Sequence, residues 1–355
     1  MKRNLWFGIG IVAVMFLAIL FITTQTKKEP KEIKIGAILP LTGDFAAIGN
    51  EIKRGIEIAI DEAKNAGFSL AIFYEDDQSL SPVAAVNSAN KLININKIDI
   101  GLTMLVEESR PISPIFSKNK VPLLVLWDSN SYIKEAGSYI FSNGFSTEKA
   151  GEMMAEFAYS KLGLKKIAII SHVDPWAKII SKSFKDKIMD LGGLIEYEEE
   201  LQPSETDYRT SIAKIKQMSP DGIYIGLVPP NSALFIIQSK ELGLRVPILT
   251  GDALIQDVIN AVGESAEGIY LTNIYTELTE TNLLNKKYKE KYKKDPLDIN
   301  LVSFGYDGIV KIMEAMKIRI KSLQEALISI FGENRSSDRA EQIYKIYKGK
   351  PLEIK

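Results

Sequence analysis

From Glu32 onward the chain alternates short β-branched runs with helical patterns, and it does so twice. IKIGAIL, LAIFYED, IDIGLTM and VPLLVLW read as strands in the first round, and KIAIISH, LIEYEEE, DGIYIGLV and VPILTGD in the second. Between the first strands Ile48, Ile52, Ile56, Ala59 and Ala63 recur at helical spacing, as do the apolar positions of VAAVNSANKLI. AKIISKSFKDKIMDLGG, DYRTSIAKIKQM and SALFIIQSKELGL separate the second set. Strand-helix alternation calls for parallel sheets covered by helices on both faces. Gly163, Gly192-Gly193 and Gly243 each stand where a helix needs a left-handed cap before the next strand. A chain of 355 residues, 46% of them hydrophobic, exceeds what one core supports, so two similar α/β lobes with a cleft between them are expected.

The composition excludes several function classes. With 44 basic against 45 acidic side chains the net charge is -1, which supplies no global field for a polyanion, and no nucleic-acid partner is expected. There is no cysteine and a single histidine, His172, so thiol nucleophiles, disulfides and multi-histidine metal sites have no residues to build them. No G-x-S-x-G elbow and no P-loop occurs either. The chain reads as a binding protein rather than an enzyme, with no cofactor and no metal.

The amino terminus points to a membrane. MKRN precedes an uncharged apolar run from Leu5 to Ile22, and the lysine-rich TTQTKKEPKE follows it. The run has the length of a bilayer span, and it ends without a small-x-small cleavage site, so an uncleaved transmembrane anchor within residues 1–31 is expected, with secretion as the outcome if it is cut. Lys2 and Arg3 lie before the span, which places the rest of the chain outside the cytoplasm.

The stretch IGAILPLTGDFAAIGNEIKRG decides what the first loop can hold. Gly36, Gly43, Gly49 and Gly55 are too widely spaced for a dinucleotide loop, which needs G-x-G-x-x-G so that the backbone touches pyrophosphate. What remains is a strand ending at Pro40, a wide turn through Thr42-Gly43-Asp44-Phe45, and a helix entered near Gly49. Such a loop lies at the carboxyl edge of a parallel sheet, where α/β folds bind ligands.

GAILPLTGDFAAIGNEIKRGIEIAIDEAKNAG resembles the opening signature of the extracellular solute-binding proteins of branched-chain amino-acid ABC transporters. DDQSLSPVAAVNSANKLI, KKIAIISHVDPWAK and GESAEGIYLT continue the resemblance over nearly all of the exported region. It implies a type I periplasmic binding protein, with two Rossmann-like lobes joined by a three-crossover hinge that close on a small ligand. It also implies an ABC transporter permease as partner. Residues 32–144 and 273–331 then form the first lobe, and 145–272 and 332–355 the second. A ligand-sensing receptor domain that signals through a membrane partner is the alternative.

The same resemblance supplies the site. Trp176 stands where the family places an aromatic in the second lobe, Asp252 where an acid holds the ligand ammonium, and Ile48 where the first loop lines the pocket. Phe45 and Val228 are assigned to the same lining. The family's carboxylate-binding turns correspond to TMLVEESRP and LWDSNS, and there this chain carries Val106, Glu107 and Glu108, then Asp128, Ser129 and Asn130. Ser109, Arg110 and Ser129 remain as donors. Glu107, Glu108, Asp128, Asp174 and Asp252 together favour an amine-rich or amide-bearing ligand. Glu107 and Glu108 equally suit the amino end of a helix through PISPIF, and His172 suits a strand end with a local hydrogen bond.

After Thr272, NIYTELTETNLLNKKYKEKYKKDP reads as a charged helix with a solvated face, and SFGYDGIVKIMEAMKIRIKSLQEALISIF as one long apolar-faced helix with Met313 and Met316 in the core. Gly332 to Ser337 is a loop signal, and QIYKIYKGKPLEIK a terminal hairpin.

Overall fold

The computed structural model describes residues 32–273, 278–318, 322–336 and 342–354. The expected membrane segment, Leu5 to Ile22, lies outside the described residues; among those described, no helix is long and apolar enough to cross a membrane.

The first round of alternation gives β1 (Ile33–Leu39), α1 (Ala46–Asn65), β2 (Leu70–Asp76), α2 (Pro82–Lys91), β3 (Ile100–Thr103), α3 (Val106–Asn119), β4 (Leu123–Val125), the short β5 (Asp128–Ser129), α4 (Tyr132–Glu135), β6 (Ile140–Ser142) and β7 (Phe145–Ser146). Five of these strands form a parallel sheet in the order β2-β1-β3-β4-β6, while β5 and β7 pair apart from it. The second round gives α5 (Thr147–Ser160), β8 (Lys166–His172), α6 (Pro175–Asp190), β9 (Leu194–Leu201), α7 (Arg209–Met218), β10 (Gly222–Gly226), α8 (Asn231–Glu241), β11 (Ile248–Thr250), α9 (Gln256–Val262) and β12 (Tyr270–Asn273). Then come α10 (Leu278–Tyr292), α11 (Ile299–Lys317) and α12 (Leu323–Phe331), and the chain closes with β13 (Gln342–Tyr347) and β14 (Lys350–Glu353). The second sheet runs β14-β13-β12-β11-β10-β8-β9, parallel except where the terminal hairpin adds its two antiparallel strands. Ile167, Ile169, Ile223 and Leu249 are fully buried, as strands covered on both faces require.

The chain passes between the layers three times: from β7 to α5, from β12 to α10, and from α12 to β13. The second passage and part of the third lie outside the described residues. The third starts beside β5 and β6, since Ser142 bridges Ser336 and the Ser336 hydroxyl donates to Ser129 Oγ at 2.7 Å. Buried apolar side chains of both layers join in one contiguous cluster that takes in Ile35 and Leu102 as well as Ile170 and Ile225.

Several elements differ from the sequence expectation for identifiable reasons. Helix α1 starts at Ala46, before Gly49, because the Phe45 N–H is held by Ser79 Oγ at 3.1 Å and Ala46 N–H bonds Gly43 O at 3.1 Å. Gly49 is not the helix entry but a close approach, since a Cβ there would stand 2.1 Å from Pro40 O. Helix α3 starts at Val106, ahead of PISPIF, and carries Pro111 and Pro114 inside it. The Arg110 carbonyl that Pro114 leaves without a helical donor receives the Tyr132 hydroxyl at 3.4 Å. The long helix expected over 303–331 is two helices, with Ile318 extended after the first and Ser322 Oγ capping the second through Glu325 N–H at 3.1 Å. The lysine-rich helix α10 is more than a solvated face. Tyr288 is fully buried with its hydroxyl on Glu51 Oε1 at 2.9 Å, and Lys287 and Lys291 pair with Glu62 and Asp61 of α1, each at 2.6 Å.

Helices α1 and α11 pack closely through two glycines. A Cβ at Gly55 would lie 1.9 Å from Val302 O, and one at Gly305 would lie 2.0 Å from Ile52 O. Alanine normally favours a helix over glycine by about 1 kcal/mol. Here Gly305→Ala is expected instead to lower stability by about 1–3 kcal/mol, read in a denaturant titration, because the two backbones must separate; a stabilised variant would contradict this packing.

Candidate functional site

In each parallel sheet the strand order reverses next to the first strand, between β1 and β3 and between β8 and β10, and ligands of open α/β sheets bind outside the carboxyl ends at such points. The side chains that follow β4 and β11 meet across this space. Asp252, two residues beyond β11, accepts the Trp127 Nε1–H on Oδ2 at 3.1 Å and the Trp176 Nε1–H on Oδ1 at 3.2 Å. Trp127 follows β4 in the first lobe and stacks on Phe304 of α11, with ring centroids 5.3 Å apart. Trp176 sits in the first turn of α6 in the second lobe, behind Asp174, whose carboxylate caps the helix through Ala177 N–H at 3.0 Å. One carboxylate thus holds an indole from each lobe.

Asp128 lies beside Trp127 and is buried, with Oδ1 accepting the Val106 N–H at 2.8 Å. Burial, followed by the charges of Asp252 and Glu107, pushes its carboxyl up to about 7. Burial raises Asp252 to about 6, against the opposing pull of the two indole N–H groups. Glu108 is raised to about 8, by burial first and by Asp77 second. Its Oε2 nonetheless gathers Thr103 Oγ1 at 2.8 Å, Met104 N–H at 3.0 Å and Leu105 N–H at 3.4 Å, which makes it the cap of α3. Glu107 is forked onto Arg110 Nε at 2.8 and 2.9 Å, and the Arg110 guanidinium lies 4.1 Å from the Tyr132 ring centroid.

Of the residues named from sequence, the structure brings Trp176, Asp252, Asp128, Val106 and Glu107 into one connected group. Ser129 is buried but its hydroxyl belongs to the hinge contact with Ser336. Phe45 and Ile48 are half-buried at the start of α1, with Ile48 packed on the main core. Val228 follows β10 and donates its N–H to His172 Nδ1 at 3.4 Å. Among the described residues no hydrogen bond joins Phe45, Ile48 or Val228 to Asp128 or Asp252. His172 is fully buried at the end of β8, also 3.2 Å from Asn231 Nδ2, and burial lowers its pKa despite nearby Asp174. Sequence reasoning missed Trp127 and Phe304, because VPLLVLW and SFGYDGI were read as core strand and core helix. The signal was a single indole at the carboxyl end of a strand, directly before a buried aspartate.

Two doubly wound layers whose strand ends face each other across a shared carboxylate are the architecture of a two-lobed binding protein. The family model for periplasmic binding proteins matches residues 32–324, and the chain belongs to that family. It is 24% identical over 331 residues to Leu/Ile/Val-binding protein homolog 2 of Brucella abortus (strain 2308), covering 89% of this chain and 84% of the relative. The crystal structure of the leucine-binding protein LivK from Thermotoga maritima matches with a TM-score of 0.81 at 26% identity, over 91% of this chain and 98% of that one. LivJ of Streptococcus pneumoniae, solved in complex with isoleucine, shares the fold at a TM-score of 0.81 and 20% identity, over 91% and 100%. The chain is a periplasmic binding protein, similar to proteins named for binding leucine, isoleucine and valine.

The raised carboxyls make a pH signature. Asp128 and Asp252 keep their protons in the fold well above the 3.8 of an ordinary aspartate, so their contribution to stability is fully present below about pH 4 and is lost as pH rises through about 6 and about 7. The depressed His172 acts in the opposite sense, and comparison with a single variant cancels it. In ligand-free protein Asp128→Asn is expected to gain on the wild type in thermal midpoint by several degrees between about pH 5 and about pH 8. A midpoint difference that does not change with pH would show that Asp128 does not titrate in this range.

Proposed function

We propose that this protein captures a small polar solute, an amino acid or an amine- or amide-like molecule, between its two lobes outside the cytoplasm and delivers it to an ABC transporter permease. The lobes are residues 32–144 with 273–331 and residues 145–272 with 332–355. The observation that carries the reading is the Asp252 carboxylate, reached by an indole from each lobe at 3.1 and 3.2 Å, because a group shared in this way reports lobe closure directly. The relatives named for binding leucine, isoleucine and valine support a small-molecule ligand of this size. Trp176, Asp252, Asp128 and Val106 form the centre of the site, Glu107 its charged rim, and Phe45, Ile48, Ser129 and Val228 the wall that a ligand meets on closure.

A thermal-shift panel of amino acids, amides and amines tests this, since a ligand at about a hundred times its dissociation constant adds about 2.7 kcal/mol. For whichever solute binds, Asp252→Asn is expected to cost about 2–5 kcal/mol of binding, measured by calorimetry. An unchanged affinity would remove Asp252 from the site.

The run from Leu5 to Ile22 holds the protein to the membrane in this reading, supported by its length and by Lys2 and Arg3 before it. Deletion of residues 1–31 is expected to move the protein from the membrane fraction to the soluble one; an unchanged distribution would leave the tether without support.

A further inference from the structure

The amino end of α3 offers what a ligand carboxylate needs, backbone N–H groups without helical acceptors and the positive end of a helix dipole. In this chain the first of those donors, and the two N–H groups just before the helix, are already taken. Glu108 Oε2 accepts from Met104 N–H at 3.0 Å and Leu105 N–H at 3.4 Å, and Asp128 reaches over from β5 to accept from Val106 N–H at 2.8 Å. The neighbouring hydroxyls face inward as well: Ser109 Oγ donates to Val106 O and Ser113 Oγ to Ser109 O, both at 2.6 Å. Ser129 is engaged by Ser336. A second carboxylate arriving here would find the Met104, Leu105 and Val106 donors filled and the carboxyl groups of Asp128 and Glu107 beside it.

The charge balance points the same way. Asp128 and Asp252 are both at least nine-tenths buried and close enough to repel one another. No salt bridge among the described residues reaches either, and the Arg110 guanidinium is committed to Glu107. A buried like-charge pair of this kind is relieved by a cation, and no described residue places one there.

We propose that Asp128 is a built-in occupant of the cleft's anion seat, so that the ligand is a cation without a carboxylate beside its amine: an alkylamine, a diamine or an amino amide. This rests on the solute-binding reading and narrows it. Asp128 is then the specificity-determining residue, which attracts the amine and repels the acid with one group. The ligand's ammonium sits between Asp128 and Asp252, and its apolar part lies against the indoles of Trp127 and Trp176.

Matched pairs of probes test this on the full-length chain in a mild non-ionic detergent: L-leucinamide against L-leucine, and 1,4-diaminobutane against 4-aminobutyrate, each titrated by calorimetry. Within at least one pair the carboxylate-free member is expected to bind at least about tenfold more tightly. Asp128→Ser frees the Val106 N–H and removes the charge, and is expected to reverse that preference. Asp128→Asn keeps an acceptor for Val106 and removes only the charge, so it is expected to narrow the preference even if the serine variant fails to fold. Binding of the acids as tightly as their partners overturns the proposal and leaves the solute-binding reading standing. A preference unchanged in a folded Asp128 variant does the same. Binding of no member of either pair also overturns it; the broader reading then falls only if a panel of sugars, nucleobases and aromatic acids gives no ligand either.

Discussion

The lobes meet on a buried carboxylate. Removing an ionised group from water costs several kcal/mol unless donors replace the lost hydration, and Asp252 receives those donors from two indoles that belong to different lobes. Trp127 is itself fixed by stacking on Phe304, which α11 brings back from late in the chain. Each partner is therefore positioned by a separate part of the fold, and the carboxylate is fully satisfied only when the lobes come together. The continuous core that joins Ile35 of the first sheet to Ile170 of the second follows from the same approach.

Around that contact the acids fall into two kinds. Glu108 and Glu107 serve local structure, the first as the cap of α3 and the second as the partner of Arg110. Asp128 and Asp252 are raised by burial, Asp128 also by the charges of Asp252 and Glu107, and neither has a salt-bridge partner among the described residues. A single helix terminus separates the two kinds, because Glu108 takes the N–H groups of Met104 and Leu105 just before α3 and Asp128 takes that of Val106, its first residue. The division explains how residues adjacent in sequence can differ in role.

Much of the fold was legible because strands buried on both faces must be apolar throughout, and KIAIISH or IKIGAIL has no other comfortable use. The glycines at 163, 192 and 243 were legible for a similar reason, and all three have positive φ. Helix limits were less so. Nothing about Ser322 distinguishes it in sequence from a mid-helix serine, and its capping role depends on where α12 must turn to pack. Gly49 looked like a helix entry, yet it is glycine because Pro40 O lies against it. In the candidate site, Trp176, Asp252 and Asp128 were named through the family resemblance rather than through periodicity, and the structure draws them together. The cross-lobe bond of Trp127 was not legible, because it joins residues whose proximity depends on how the two layers face each other.

The contact between Gly55 and Gly305 bears on how the molecule comes into being. Helix α1 needs α11 against it, and the second sheet needs β13 and β14 from the end of the chain, so neither lobe can complete its layers while the last part is still being made. Contacts between distant segments slow folding, because loop closure precedes the reward of burial. A helix from early in the chain and one from late in it thus set each other's spacing, and neither can be altered at its glycine without moving the other.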